Sequence, residues 1–228
     1  LEKAVNLAVI TPCLYPDTAR IHYLIDSCAK HNVSLSFHGR GEVFGGWSAM
    51  LMRYTLPHMR SLAEQGYSHV LFVDAIDSLF VAGINEIAAK YERLCGDHST
   101  LISGDSDPTP RGVYIDPGPW KYLNGGGYIT PIAPWVCMIE NLHELYPEEG
   151  NYQVWLEKHW PLPDSYVDYD CKIFQPMDGN PAVMPVGGRV LNALTGSWPC
   201  ILHFRGGYCD PVTGRDERMK PWVEALTR

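Results

Sequence analysis

Two rhythms of apolar and polar positions alternate along the first half of the chain. Residues 5–11 (VNLAVIT) form a short, β-branched apolar run, the pattern of a strand buried on both faces. Over residues 17–30 the apolar Ile21, Leu24, Ile25 and Cys28 recur at helical spacing, with Asp17 or Thr18 placed to cap the helix. A second strand is predicted over 33–37, which completes a βαβ start. A loop with four glycines (Gly39, Gly41, Gly45, Gly46) then leads into a helix over 47–65, where Pro57 predicts a kink. The stretch 69–80 (HVLFVDAIDSLF) reads as a third buried strand that runs into two aspartates. An amphipathic helix is predicted over 83–94 and a fourth strand over 100–103.

The second half reads differently. A Pro- and Gly-rich loop extends to Trp120, long enough without a pattern of its own to suggest a functional loop. In residues 122–130 (YLNGGGYIT) three successive glycines precede a strand, which points to close approach of a ligand or to a bulge. Helices are predicted over 131–145, 152–160 and 219–226, and short strands within 167–175, 183–190 and 199–204. The pattern changes near residue 120, so one continuous core is expected, made of two unlike halves, 1–120 and 121–228.

A chain of 228 residues can bury a full core without covalent staples. Its net charge of −8 gives no basic surplus, so a general nucleic-acid grip is not expected. No apolar run approaches the ~20 residues that span a bilayer, and no signal-peptide pattern is visible. The seven cysteines are widely spaced and form no CxxC pair. That spacing argues against a zinc ribbon and for a reducing, cytoplasmic setting.

The candidate chemistry gathers at strand ends. Asp74 and Asp77 follow a buried strand at its carboxyl end, where open α/β sheets bind ligands. They are read either as a helix cap with a solvated neighbour or as oxygen ligands for a divalent cation. His203 closes the last predicted strand and is a candidate third ligand, though a histidine there is also an ordinary core or surface residue. Two carboxylates and one imidazole suit manganese better than calcium. Thr11 ends the first strand on the same rim, and Arg53 is the nearest cation after the glycine loop. That loop matches neither the P-loop nor the dinucleotide fingerprint.

Four stretches, in order, resemble the glycosyltransferase domain of the procollagen lysyl hydroxylase/glucosyltransferase family and its bacterial and viral relatives: LFVDAIDSLF, YLNGGGYIT, VDYDCKIFQPMDG and ILHFRGG. The resemblance covers most of the chain, from Val5 to about Gly207. It implies a GT-A fold: an α/β, Rossmann-like, mainly parallel central sheet flanked by helices, with short antiparallel strands added in the C-terminal half, so that 1–120 would be a nucleotide-binding half and 121–228 an acceptor half. It implies a hexosyltransferase that moves a sugar from a nucleotide-diphosphate donor, a UDP-sugar, to a hydroxyl on a protein or glycan, with Mn²⁺ or Mg²⁺ as cofactor. Carried over position by position, Asp74, Asp77 and His203 become the metal ligands. Thr11 and Ile76 lie against the nucleoside, and Asn124, Gly125 and Gly126 lie near the sugar or diphosphate. Arg53, Arg205 and Gly206 complete the donor site.

Departures from the family pattern are visible. Ile76 stands where the family has an aromatic residue, and Arg205 replaces the asparagine of its HGNG segment. Residues 148–153 (EEGNYQ) replace its run of aspartates before a glutamine. An inverting reaction needs a carboxylate to take the acceptor proton. Asp105 is preferred over Asp168 and Asp170 for that role, while a retaining reaction needs no such base. Two other functions stay open: a binding module of the same fold without turnover, and a metal-dependent nucleotidyltransferase.

Overall fold

The computed structural model describes residues 5–14, 18–96, 99–106, 118–178, 182–205 and 217–227. Eleven strands and seven α-helices are assigned within them. The strands are β1 (Leu7–Pro12), β2 (Leu35–His38), β3 (His69–Val73), β4 (Ser78–Phe80), β5 (Thr100–Asp105), β6 (Tyr122–Pro131), β7 (Ser165–Asp168), β8 (Phe174–Pro176), β9 (Val183–Val186), β10 (Arg189–Asn192) and β11 (Ile201–His203). The helices are α1 (His22–Lys30), α2 (Trp47–Met50), α3 (Leu56–Glu64), α4 (Ile84–Cys95), α5 (Ile132–Leu145), α6 (Tyr152–Lys158) and α7 (Lys220–Thr227).

Six strands form the central sheet in the order β2-β1-β3-β6-β5-β7. Five of them run the same way, and β6 is reversed between β3 and β5. Alternation of side chains explains why β1 and β3 read as unbroken apolar runs. Ala8, Ile10, Val70 and Phe72 face one core with α3, α5 and α6, while Val9, Leu71 and Val73 face the other with α1 and α4. This is the α/β, GT-A-like architecture expected from the sequence. The added short strands form a β9–β10 hairpin and a three-stranded sheet, β4-β11-β8. The smaller sheet takes β4 from the first half of the chain, so it does not belong to the second half alone.

Several boundaries differ from the pattern-based reading for physical reasons. The stretch 69–80 is two strands rather than one: β3 ends at Val73, the chain bends through Asp74–Asp77, and β4 joins the other sheet. The helix over 47–65 is interrupted by a wide turn at Leu51–Thr55, where Leu56 N donates to Leu51 O. Pro57 lacks an N–H and crowds the carbonyl four residues back, so the disturbance sits in the preceding turn. The stretch 183–190 folds into a hairpin through Gly187 and Gly188, whose positive φ of 56° and 75° suits a two-residue turn. A 3₁₀ turn, Ala19–Ile21, precedes α1, and Thr18 makes no side-chain cap to it; Asp17 lies outside the described residues. No disulfide joins the six described cysteines. None of the described helices is long and apolar enough to cross a membrane.

Candidate active site

The site is built where the chain passes from the large sheet to the small one. Asp74 N donates to Gly126 O at 2.9 Å, one step past the β3–β6 ladder. Four residues later β4 begins and pairs with β11, which sets His203 opposite Ser78. Phe204 N donates to Asp77 O at 2.8 Å. Two sheet registers therefore bring Asp74, Asp77 and His203 together, with one ligand atom from each within 4.8 Å of the other two.

The chemistry of this group fits a bound cation. His203 Nε2 lies 3.6 Å from both Asp74 Oδ2 and Asp77 Oδ1, too far for hydrogen bonds. Ligand distances of roughly 2.0–2.6 Å around a divalent metal put neighbouring ligand atoms about 3–5 Å apart. Among the described residues, Asp77 Oδ1 and both ring nitrogens of His203 are buried without a hydrogen-bond partner, a costly arrangement unless something else satisfies them. Burial, reinforced by the Asp77 carboxylate, pushes the Asp74 carboxyl above its ordinary value against the pull of His203. Burial alone would depress the His203 imidazole, but Asp77 and Asp74 outweigh it and hold its pKa well above the ordinary value. A proton there offsets two carboxylates, the same electrostatic task a divalent cation performs.

The glycines of β6 make room for this group. The β5–β6 register jumps between Ile102↔Tyr128 and Ser103↔Asn124, so Gly125, Gly126 and Gly127 bulge out of that ladder. A Cβ on Gly126 would stand 2.5 Å from His203 Cε1 and 2.6 Å from Asp74 Oδ2. One on Gly127 would meet Phe174 at 2.9 Å, and one on Gly125 would meet Tyr152 at 3.1 Å. None of the three has a positive φ; space, not backbone freedom, calls for glycine here.

Helix α6 braces the bulge. Asn151 Oδ1 caps it by accepting from Gln153 N at 3.0 Å. Gln153 Oε1 accepts from Gly125 N at 2.9 Å while its Nε2 donates to Leu123 O at 2.9 Å. Tyr152 Oη donates to Gly125 O at 2.5 Å. These contacts come from the 148–153 segment, which the sequence marked only as a departure from the family pattern.

Asp74, Asp77 and His203 lie on the wall of a cavity of about 590 Å³, shared with Ile76, Asn124, Gly125, Gly126 and Arg205. Pattern reasoning missed Glu42, Phe44, Trp47, Asn151, Tyr152 and Gln153 on the same wall. The signal available in the sequence was the two large aromatics, Phe44 and Trp47, that flank Gly45 and Gly46; both are exposed in the structure.

Other candidates are placed elsewhere. Thr11 is fully buried and its hydroxyl donates to Val73 O at 2.8 Å; its neighbour Pro12 reaches the wall instead. Arg53 is exposed and off the wall. Asp105 is buried behind the wall, beside Asn124 and Arg205. Asp168 accepts three backbone N–H groups, from Lys172, Ile173 and Phe174, and Asp170 pairs with Lys172 on the surface. None of these three aspartates lies on the cavity wall. Gly206 lies outside the described residues.

No protein-family model matches the chain. Over 179 residues, 69% of its length, it is 26% identical to procollagen-lysine,2-oxoglutarate 5-dioxygenase 2 of Homo sapiens and 24% identical to the Mus musculus protein. The matched region is 23% of each relative, so the chain corresponds to less than a quarter of those proteins. Among solved structures, a glycosyltransferase involved in glycosylation of the major capsid of PBCV-1 superposes with a TM-score of 0.60. The match covers 94% of this chain and 98% of that one at 12% identity. The resemblance read from the four motifs thus stands: the chain has a GT-A-like fold, and it is similar in sequence to part of the procollagen lysyl hydroxylases and in fold to the PBCV-1 capsid glycosyltransferase.

Proposed function

We propose that the domain transfers a hexose from a nucleoside-diphosphate sugar, a UDP-sugar, to a hydroxyl of a protein or glycan acceptor. The carrying observation is the Asp74–Asp77–His203 group, with its unpartnered buried ligand atoms, on the wall of a cavity large enough for a nucleotide sugar. Three of the wall's acidic side chains, Glu42, Asp74 and Asp77, would repel a diphosphate unless a cation intervenes.

In this reading Asp74, Asp77 and His203 hold Mn²⁺ or Mg²⁺. The cation supplies Lewis-acid stabilisation of the charge that develops on the departing diphosphate. The chain's own residues do the rest. Ile76, with Pro12 and Leu14, offers an apolar wall to the nucleoside. Asn124 and the glycine bulge lie beside the metal group and let the sugar approach the backbone closely. The first half of the chain supplies two metal ligands and the second half supplies the third, so donor binding depends on both.

Calorimetric titration of UDP with and without Mn²⁺, on the wild type, Asp77→Ala and His203→Ala, tests this. Binding that requires Mn²⁺ and disappears in both folded variants is expected, followed by UDP release from a UDP-sugar when an acceptor is present. Absence of binding by every nucleoside diphosphate tried would sink the proposal. Binding without turnover for any sugar and acceptor would move the domain to the binding-module reading.

A further inference from the structure

Arg205 is the one arginine or lysine among the described residues of the cavity wall, and a buried carboxylate behind the wall holds its side chain. Asp105, the last residue of β5, is 1% exposed. Its Oδ2 accepts from Asn124 Nδ2 at 2.7 Å and lies 3.2 Å from Arg205 Nε. Asp178 Oδ2 accepts from the same Nε at 3.3 Å. The backbone is held as well: Arg218 Nη1 and Nη2 each donate to Arg205 O at 3.0 Å, and Nη1 reaches Asp178 Oδ1 at 3.2 Å.

A buried carboxylate is costly unless a cation and hydrogen bonds compensate it, and Asp105 has both. Arginine carries large rotamer entropy, much of which this arrangement removes before any ligand arrives. Asp105 also acts on the metal side, because Asn124 Oδ1 accepts from Gly126 N at 2.7 Å. The arginine and the glycine that faces the metal group are thereby tied to one carboxylate.

We infer that Asp105 is a positioning residue: it fixes the Arg205 guanidinium on the cavity wall, and Arg205 so held binds the diphosphate of the donor. This rests on the nucleotide-sugar reading above. It gives Asp105 a role exerted through Arg205 in place of proton acceptance from the acceptor hydroxyl, for which it does not reach the wall.

The test is a double-mutant cycle on UDP affinity at saturating Mn²⁺, using the wild type, Asp105→Asn, Arg205→Ala and the double variant. A charged hydrogen-bond contact to phosphate corresponds to roughly 10- to 100-fold in affinity. Arg205→Ala is therefore expected to weaken UDP binding by about that much and Asp105→Asn by about tenfold. The double variant should be no weaker than Arg205→Ala alone. Arg205→Lys keeps the charge but lacks the Nε that Asp105 holds. It should match the Asp105→Asn loss, and it replaces that variant if Asp105→Asn does not fold. In turnover, Asp105→Asn should raise the donor KM and leave the pH profile of kcat unchanged. Losses that multiply in the double variant would overturn the role. So would unchanged UDP affinity with about a thousandfold fall in kcat and a lost limb of the pH profile, the signature of a base. If the wild type binds no nucleoside diphosphate, the nucleotide reading fails and this role fails with it; multiplicative losses on a binding wild type remove the role alone.

Discussion

Gly126→Ala is the sharpest probe of the proposed metal site, because it adds a single methyl at a place where the structure has no room for one. That methyl would begin 2.5 Å from His203 Cε1, 2.6 Å from Asp74 Oδ2 and 3.0 Å from Asn124 Oδ1. To reach an ordinary contact of 3.4 Å, His203 must retreat by about 0.9 Å, and Asp74 by about 0.8 Å. Metal coordination tolerates deviations of roughly 0.2 Å. Neither ligand can make that move and stay in the same coordination sphere. Disturbing groups that orient metal ligands costs about 10- to 100-fold in metal affinity, so Gly126→Ala, which displaces ligands directly, is expected to lose at least about 100-fold. Overpacking adds a stability cost of about 1–3 kcal/mol. The assay is calorimetric titration of Mn²⁺ alone, with a urea melt to confirm that the variant is folded. Gly150→Ala is the control: its Cβ would meet nothing within 4 Å, and Mn²⁺ affinity should stay at the wild-type level. A folded Gly126→Ala protein with wild-type Mn²⁺ affinity would refute the assignment of the metal to the face of the glycine bulge.

Other expectations concern stability and metal removal. Mn²⁺ at 100 times its Kd should stabilise the fold by about 2.7 kcal/mol, roughly 5–10 °C in Tm for a chain of this length; EDTA should reverse the shift, and His203→Ala should abolish it. His38 is buried, stacks on His58 with ring centroids 5.3 Å apart, and bonds Thr55 Oγ1 through Nε2 at 2.8 Å. Burial, with the His58 imidazole adding to it, lowers its pKa from 6.5 to about 3. The unfolded chain therefore takes up this proton first as pH falls. The stability is fully present above pH 6.5 and declines toward pH 3, with a loss of about 2 kcal/mol by pH 5. Urea denaturation at pH 7.5 and 5.0 should show that much more acid loss in the wild type than in His38→Gln, and equal losses would contradict it. Asp168→Ala leaves three backbone donors of the Lys172–Phe174 turn without an acceptor and should cost about 3–5 kcal/mol in a urea melt. A change below about 1 kcal/mol would mean that Asp168 is not the structural anchor its hydrogen bonds describe.

Much of this protein was determined by local pattern. Unbroken apolar runs at Ala8–Ile10 and Val70–Val73 can be stable only with both faces covered, so they already demand a central sheet between helices. The periodicities of α1, α4 and α5 mark which faces do the covering. Two aspartates after a buried strand, and a triple glycine, were visible as irregularities that a fold alone does not need.

Tertiary structure decided what those irregularities mean. The sequence around Asp74–Asp77 reads as one strand, because the switch from one sheet to another depends on which partners β3 and β4 find, β6 and β11. The glycines read as a bulge or a ligand contact. Only the positions of His203, Asp74, Phe174 and Tyr152 show that each must be glycine for want of space. On the sequence, Asp105 is the preferred of three candidate carboxylates for a catalytic base. Its burial and its bonds to Asn124 and Arg205, nearly twenty and a hundred residues away in the chain, place it behind the wall. Periodicity records which side of an element faces the core. It carries no record of long-range pairing, and pairing is what brings residues 74, 77 and 203 together.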